Sequence, residues 1–145
     1  MKKMILTLAI AVSSLVAFAR EENVSKKVLD AFKTEFNTAK EVEWTAESDH
    51  YKAIFKYNEK YVFAYYSLEG ELLGLTRFIS TMDLPLSLQI DLKKKGKGYW
   101  VSDLFEVAKD GTTYYYITLD NAGTKMVLKS TGGNDWEEFK TVKKS

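Results

Sequence analysis

Apolar residues along the chain follow two alternating periods. Val28, Leu29, Phe32, Phe36 and Ala39 recur near i, i+4, i+8 and i+11, the spacing of an amphipathic helix, and Ser25 or Asn23 can cap its start. The period then drops to two. Val42-Glu43-Trp44 reads as a short strand and Tyr51 to Tyr57 as a longer one. Asn58-Glu59 turns, Tyr61 to Tyr66 returns, Glu69-Gly70 turns, and Leu72 to Phe78 closes the run. Leu84, Leu88 and Leu92 then fall one helical turn apart. Pro85 suits the first turn, and Gly96 stops the segment after Lys93, Lys94 and Lys95, which sit well at a helix C-terminus. Leu84-Leu86-Leu88-Ile90-Leu92 also alternates as a strand would, but the lysine run and Gly96 favour helix. Strands follow at Tyr99-Trp100-Val101, Leu104 to Ala108, Tyr114 to Leu119 and Lys125 to Lys129, with turns at Asp110-Gly111 and Ala122-Gly123.

The halves share a pattern. Trp44 and Trp100 stand 56 residues apart, as do Val28 and Leu84, while Tyr61 and Tyr114 stand 53 apart, as do Gly70 and Gly123. The expected fold is α+β: two tandem helix-plus-four-strand repeats, 24–79 and 80–140, forming one antiparallel, roughly eight-stranded sheet with helices on one face. A helix on four short strands buries little area, so neither half is expected to stand alone.

Alternation and turn parity assign the faces. A two-residue turn at Asn58-Glu59 groups Ala53, Phe55, Val62, Ala64, Tyr66, Leu73 and Leu75 toward the helices. A three-residue loop Asp110-Gly111-Thr112 would add Phe105, Val107, Tyr115, Ile117, Leu119, Met126 and Leu128. The opposite, open face then carries Lys52, Ile54, Lys56, Tyr61, Phe63, Tyr65 and Thr76, with Leu104, Glu106, Tyr114, Tyr116, Thr118 and Lys129. If Asp110-Gly111 turns in two residues, the second half changes faces. Aromatic rings mixed with charge suit an interaction surface, although cross-strand aromatic pairs also stabilise sheets.

Composition narrows the function. Residues 1–19 read as a cleaved signal peptide: Lys2 and Lys3, an apolar run from Met4 to Phe18, and Ala17-Phe18-Ala19 as the cleavage pattern. The expected location is periplasmic or secreted. Removing Lys2 and Lys3 leaves 19 basic and 20 acidic residues, which argues against a nucleic-acid binder. With no Cys and one His, thiolate, Cys–zinc and multi-His chemistry fall away. Glu41, Glu43, Glu47, Asp49 and His50 form an acidic cluster whose spacing matches no ordered calcium loop, and a solvated strand edge explains it better. Lys93 to Lys97 reads as a solvated helix end. Gly132-Gly133-Asn134-Asp135 is turn chemistry without a phosphate-binding lysine. No cofactor and no catalysis are expected.

These residues carry a resemblance. The helix leading to Val42-Glu43-Trp44, the aromatic hairpin Tyr61-Val62-Phe63-Ala64-Tyr65-Tyr66 before Gly70, and the second opening at Leu84-Pro85 with Gly98-Tyr99 and Gly123 resemble the exported PepSY-like proteins of the Bacteroidetes. The fold of that family is similar to the beta-lactamase inhibitor protein. Over roughly residues 24 to 140 the resemblance implies one eight-stranded sheet with a concave open face, which in the inhibitor grips an enzyme. The absence of any disulfide departs from the inhibitor. The expected function is an exported, non-enzymatic binding domain for an envelope or exported protein or peptide, monomeric or weakly dimeric. Its expected contact residues are Tyr61, Phe63, Tyr65, Tyr114, Tyr116, Lys52, Lys56 and Glu106. The alternative is a periplasmic small-ligand or calcium binder.

Overall fold

The computed structural model describes residues 23–145 together with the backbone pairing of Phe18–Ala19. The signal-peptide reading of residues 1–19 otherwise lies outside the described residues. In chain order the elements are β1 (Phe18–Ala19), α1 (Lys26–Glu35), β2 (Lys40–Ala46), β3 (His50–Tyr57), β4 (Lys60–Ser67) and β5 (Leu72–Phe78). After a 3-10 turn at Thr81–Asp83 come α2 (Leu86–Lys95), β6 (Trp100–Lys109), β7 (Thr112–Asp120), β8 (Thr124–Thr131) and β9 (Glu137–Lys143). All strands join one antiparallel sheet in sequence order, and α2 spans the step from β5 to β6. A helix followed by four strands thus occurs twice, with β1 paired onto the edge of β2.

Local chemistry explains the helices. The Val28 N–H donates to Ser25 Oγ at 3.4 Å, capping α1, whose Val28 and Phe32 are buried. α2 buries Leu88 in its first turn with Leu84 just ahead of the helix, and ends at Gly96 behind three lysines. Pro85 occupies the N-cap rather than the first turn, and its carbonyl accepts from the Leu88 and Gln89 N–H groups.

Both helices lie on the same face, over two separate cores. In the first, Phe32 meets Phe55 at 5.0 Å and Trp44 at 5.2 Å, both edge-on, above Ala53, Ala64 and Tyr66. In the second, Leu84, Leu88, Leu104, Ile117, Leu119 and Leu128 enclose Trp136. Trp136, just ahead of β9, fastens the chain to α2. Its Nε1–H donates to Leu88 O at 3.0 Å and its backbone N–H to Asp91 Oδ2 at 2.8 Å. Lys95 bonds the Trp136 carbonyl and pairs with Asp91 at 3.0 Å.

Three expectations are corrected. Tyr99–Val101 and Leu104–Ala108 are one strand, β6, bulged between Val101 and Asp103, so the fourth strand of the second half is Glu137–Lys143. By element order β4 therefore corresponds to β8, and the Tyr61/Tyr114 spacing joins strands that do not correspond. Trp100 is not the counterpart of buried Trp44. It is 56% exposed, opposite Asp120, with the Lys144 ammonium 5.2 Å from its ring. Finally, Asp110-Gly111 is a two-residue turn pairing Lys109 with Thr112. Asp110 (φ 51°) and Gly111 (φ 75°) both take the left-handed conformation that such a hairpin requires, which a glycine accepts without strain. The flip is confined to β6: Leu104 and Glu106 face the helices, and Phe105 and Val107 face the open side.

Trp136→Ala should cost about 3–5 kcal/mol in urea unfolding, the scale of emptying a buried aromatic site, whereas exposed Trp100→Ala should stay within about 1 kcal/mol. Acid should also weaken the fold through two aspartates. The Trp136 N–H, aided by Lys95, holds the Asp91 carboxyl below its ordinary value, and the Ser102 hydroxyl with Lys144 does so for Asp120. Their contribution is complete above the ordinary aspartate value of about 3.9 and is lost as pH falls through the lowered values. Thermal midpoints should therefore decline below that pH, and less steeply in Asp91→Asn/Asp120→Asn.

Candidate interaction face of the sheet

The sheet face away from the helices is covered by no element of the described chain. Direct cross-strand pairing lines up one row across it. Lys56 lies opposite Tyr61, Phe78 opposite Phe105, Phe105 opposite Tyr116, Tyr116 opposite Lys129, and Lys129 opposite Glu137. The β4–β5 pairing ends at Phe63–Thr76, and Phe63 bridges the step by meeting Phe78 at 5.6 Å. From there the rings run unbroken. Phe78 meets Phe105 at 6.3 Å, Phe105 stacks on Tyr116 at 5.2 Å and 14°, and Tyr116 meets Phe139 edge-on at 5.7 Å.

Cations stand over this row. Lys52 Nζ lies 5.2 Å from the Phe63 ring centroid, Lys56 Nζ 5.8 Å from Tyr61, and Lys129 Nζ 5.0 Å from Tyr114 and 5.7 Å from Tyr116. Such pairs hold the ammonium groups near the apolar surface, where an acidic group arriving from outside would meet them. Tyr61, Phe78 and Phe139 are 53%, 57% and 60% exposed, while Phe105 between its neighbours is only 5% exposed. Burial pushes the Tyr65 phenol above its ordinary value.

Seven of the eight sequence-predicted contact residues share this face: Lys52, Lys56, Tyr61, Phe63, Tyr65, Tyr114 and Tyr116. The eighth, Glu106, does not. The two-residue turn sends it to the helix side, where Arg77 grips it with Nε at 3.0 Å and Nη2 at 3.2 Å. Phe78 and Phe139 escaped the sequence reading, and Phe105 and Val107, grouped there with the helix side, lie on this face as the two-residue alternative at Asp110-Gly111 implies. An Asp-Gly turn is itself a signal for a two-residue hairpin and would have placed Phe105 and Val107 here. Phe139 lies at a bulge that periodicity does not reveal. The acidic cluster does not assemble. Glu41 accepts from the Tyr61 hydroxyl at 3.3 Å, and Asp49 binds His50 Nδ1 at 2.7 Å, which lowers the Asp49 carboxyl. Among the described residues no three acidic or histidine side chains converge on a point that could hold a metal.

No protein-family model and no curated protein matches the chain. Solved structures do. A BLIP-like protein of Bacteroides fragilis is 17% identical with a TM-score of 0.73, over 83% of this chain and 88% of that one. A DUF2874 family protein of Bacteroides ovatus is 19% identical with a TM-score of 0.71, over 81% and 86%. A candidate periplasmic protein of Bacteroides eggerthii is 14% identical with a TM-score of 0.72, over 83% and 88%. The fold is BLIP-like. At these identities the likeness is one of architecture, and the BLIP-like sheet of this chain carries its own aromatic row. Among the described residues no helix is long and apolar enough to cross a membrane.

The ring contacts predict a split in mutational cost. Phe105→Ala should cost about 3 kcal/mol in urea unfolding because it empties a buried site under two neighbours. Phe78→Ala and Phe139→Ala should each cost less than about 1 kcal/mol, since their rings are mostly in water already.

Proposed function

We propose that the protein is an exported, non-catalytic domain that binds a protein or peptide on the open aromatic face of its sheet. The single observation that carries this reading is the continuous ring row from Phe63 to Phe139, flanked by lysines and exposed at Phe78 and Phe139. Phe and Tyr give contact area at the cost of only two side-chain torsions each, and a rigid sheet has already placed them. Tyr61, Phe63, Tyr65, Tyr114 and Tyr116 serve as anchors, extended by Phe78 and Phe139. Lys52, Lys56 and Lys129 favour a partner that presents carboxylates among apolar groups. Export rests on residues 1–19 acting as a cleaved signal, whose removal takes β1 with it and leaves β2 as the edge of an eight-stranded sheet, and the periplasmic candidate among the similar structures accords with it.

Affinity capture from an envelope extract, with Phe78→Ala/Phe139→Ala as control, tests this reading. The expected result is a protein retained by the parent and lost by the double variant, with Kd raised at least tenfold in a direct titration of the purified pair. A partner held equally by both would remove the aromatic face from the interface. Should the captured partner be an enzyme, its activity in the complex reports whether binding inhibits it.

A further inference from the structure

The helix side of the sheet has a gap. The first core gathers under α1 and the second under α2, and beside the first core a cavity of about 410 Å³ opens over the middle strands. Its floor is the β5–β6 pair, with Leu75 opposite Ala108 and Arg77 opposite Glu106. Phe36 at the end of α1, Tyr57 and Val62 supply apolar walls, and Lys60 from the β3–β4 hairpin stands at the side. That volume lies within the range of small-molecule sites, which combine apolar walls with a few placed polar groups.

The charges select the ligand. Glu106 engages Arg77 through Nε and Nη2 only, and a guanidinium has a further edge of N–H donors at Nη1. Lys60 and Arg77 outnumber Glu106 in the lining. Asp83, which feels both cations, directs its Oδ2 to the Ser80 N–H at 2.9 Å and the Ser80 hydroxyl at 3.1 Å. We infer that this cavity is a second binding site, for a small amphipathic carboxylate whose apolar body rests on Phe36, Val62, Leu75 and Ala108 while its carboxylate meets Arg77 and Lys60. The site lies on the opposite face from the aromatic row and does not depend on the protein-binding reading.

The test uses three probes with eight-carbon chains: octanoate, octanol and octyltrimethylammonium, each below its micelle concentration. In a 15N-correlation titration of the purified protein, octanoate should give saturable shifts at the Leu75, Arg77 and Ala108 amides, and octyltrimethylammonium should not. Arg77→Gln/Glu106→Gln removes both charges while keeping hydrogen-bonding groups, and should weaken octanoate at least tenfold with octanol unchanged. Ala108→Phe, which fills the cavity, should abolish the shifts. Equal binding of all three probes, shifts centred on the aromatic face, or no saturable shift with millimolar octanoate would overturn the site. The parent titration alone decides the matter if either variant fails to fold.

Discussion

Side chains on a strand point alternately to the two faces, so the number of residues in a hairpin turn decides which set meets the helices. In this sheet the constraint acts twice, at Asn58-Glu59 and at Asp110-Gly111, both two-residue turns with left-handed backbone throughout. The first puts Ala53, Phe55, Ala64 and Tyr66 under α1. The second puts Leu104 under α2 and sends Phe105 outward to stack on Tyr116. One more residue at Asp110-Gly111 would bury Phe105 against α2 and break the ring row at its centre. The cores, the exposed aromatics and the Arg77–Glu106 pair are all consequences of that parity.

Coverage is the second constraint. Each helix has ten residues, so it is about 15 Å long and about 10 Å across. Strands about 4.8 Å apart make a sheet of eight or more nearly 40 Å wide. Two such helices cannot cover one face of it, and they cannot touch the other. The uncovered strip beside the end of α1 becomes the cavity over β5 and β6. Arg77 and Glu106 tolerate that half-covered place because they satisfy each other with two hydrogen bonds.

The uncovered face must manage its own apolar surface. It does so by packing rings against rings and laying lysine stems beside them, so that Phe105 is nearly buried without any layer above it. This self-packing gives rigidity, and the exposed rim gives area to a partner. One row therefore serves both stability and recognition, divided by burial along its length.

The sequence by itself determined what depends on neighbours in the chain. The helical spacing of Val28 and Phe32, the Ser25 cap, the strand periods of the first half and the stop at Gly96 are local, and each appears in the structure. So does the placement of Lys52, Lys56, Tyr61, Phe63, Tyr65, Tyr114 and Tyr116 on one face. Only the tertiary structure decided what depends on distant partners. Bulges at Val101/Asp103 and beside Phe139 reset alternation without a mark in the pattern, which is why Trp100 did not take the place of Trp44 and why β9 was not found. Trp136 became the second core's tryptophan because α2 offers it the Leu88 carbonyl and Asp91, forty-odd residues away. Glu106 moved from the predicted contact set to an ion pair because one turn was a residue shorter than expected. Local preference sets the elements, whereas register is settled by which faces and hydrogen-bonding groups meet when the whole sheet closes.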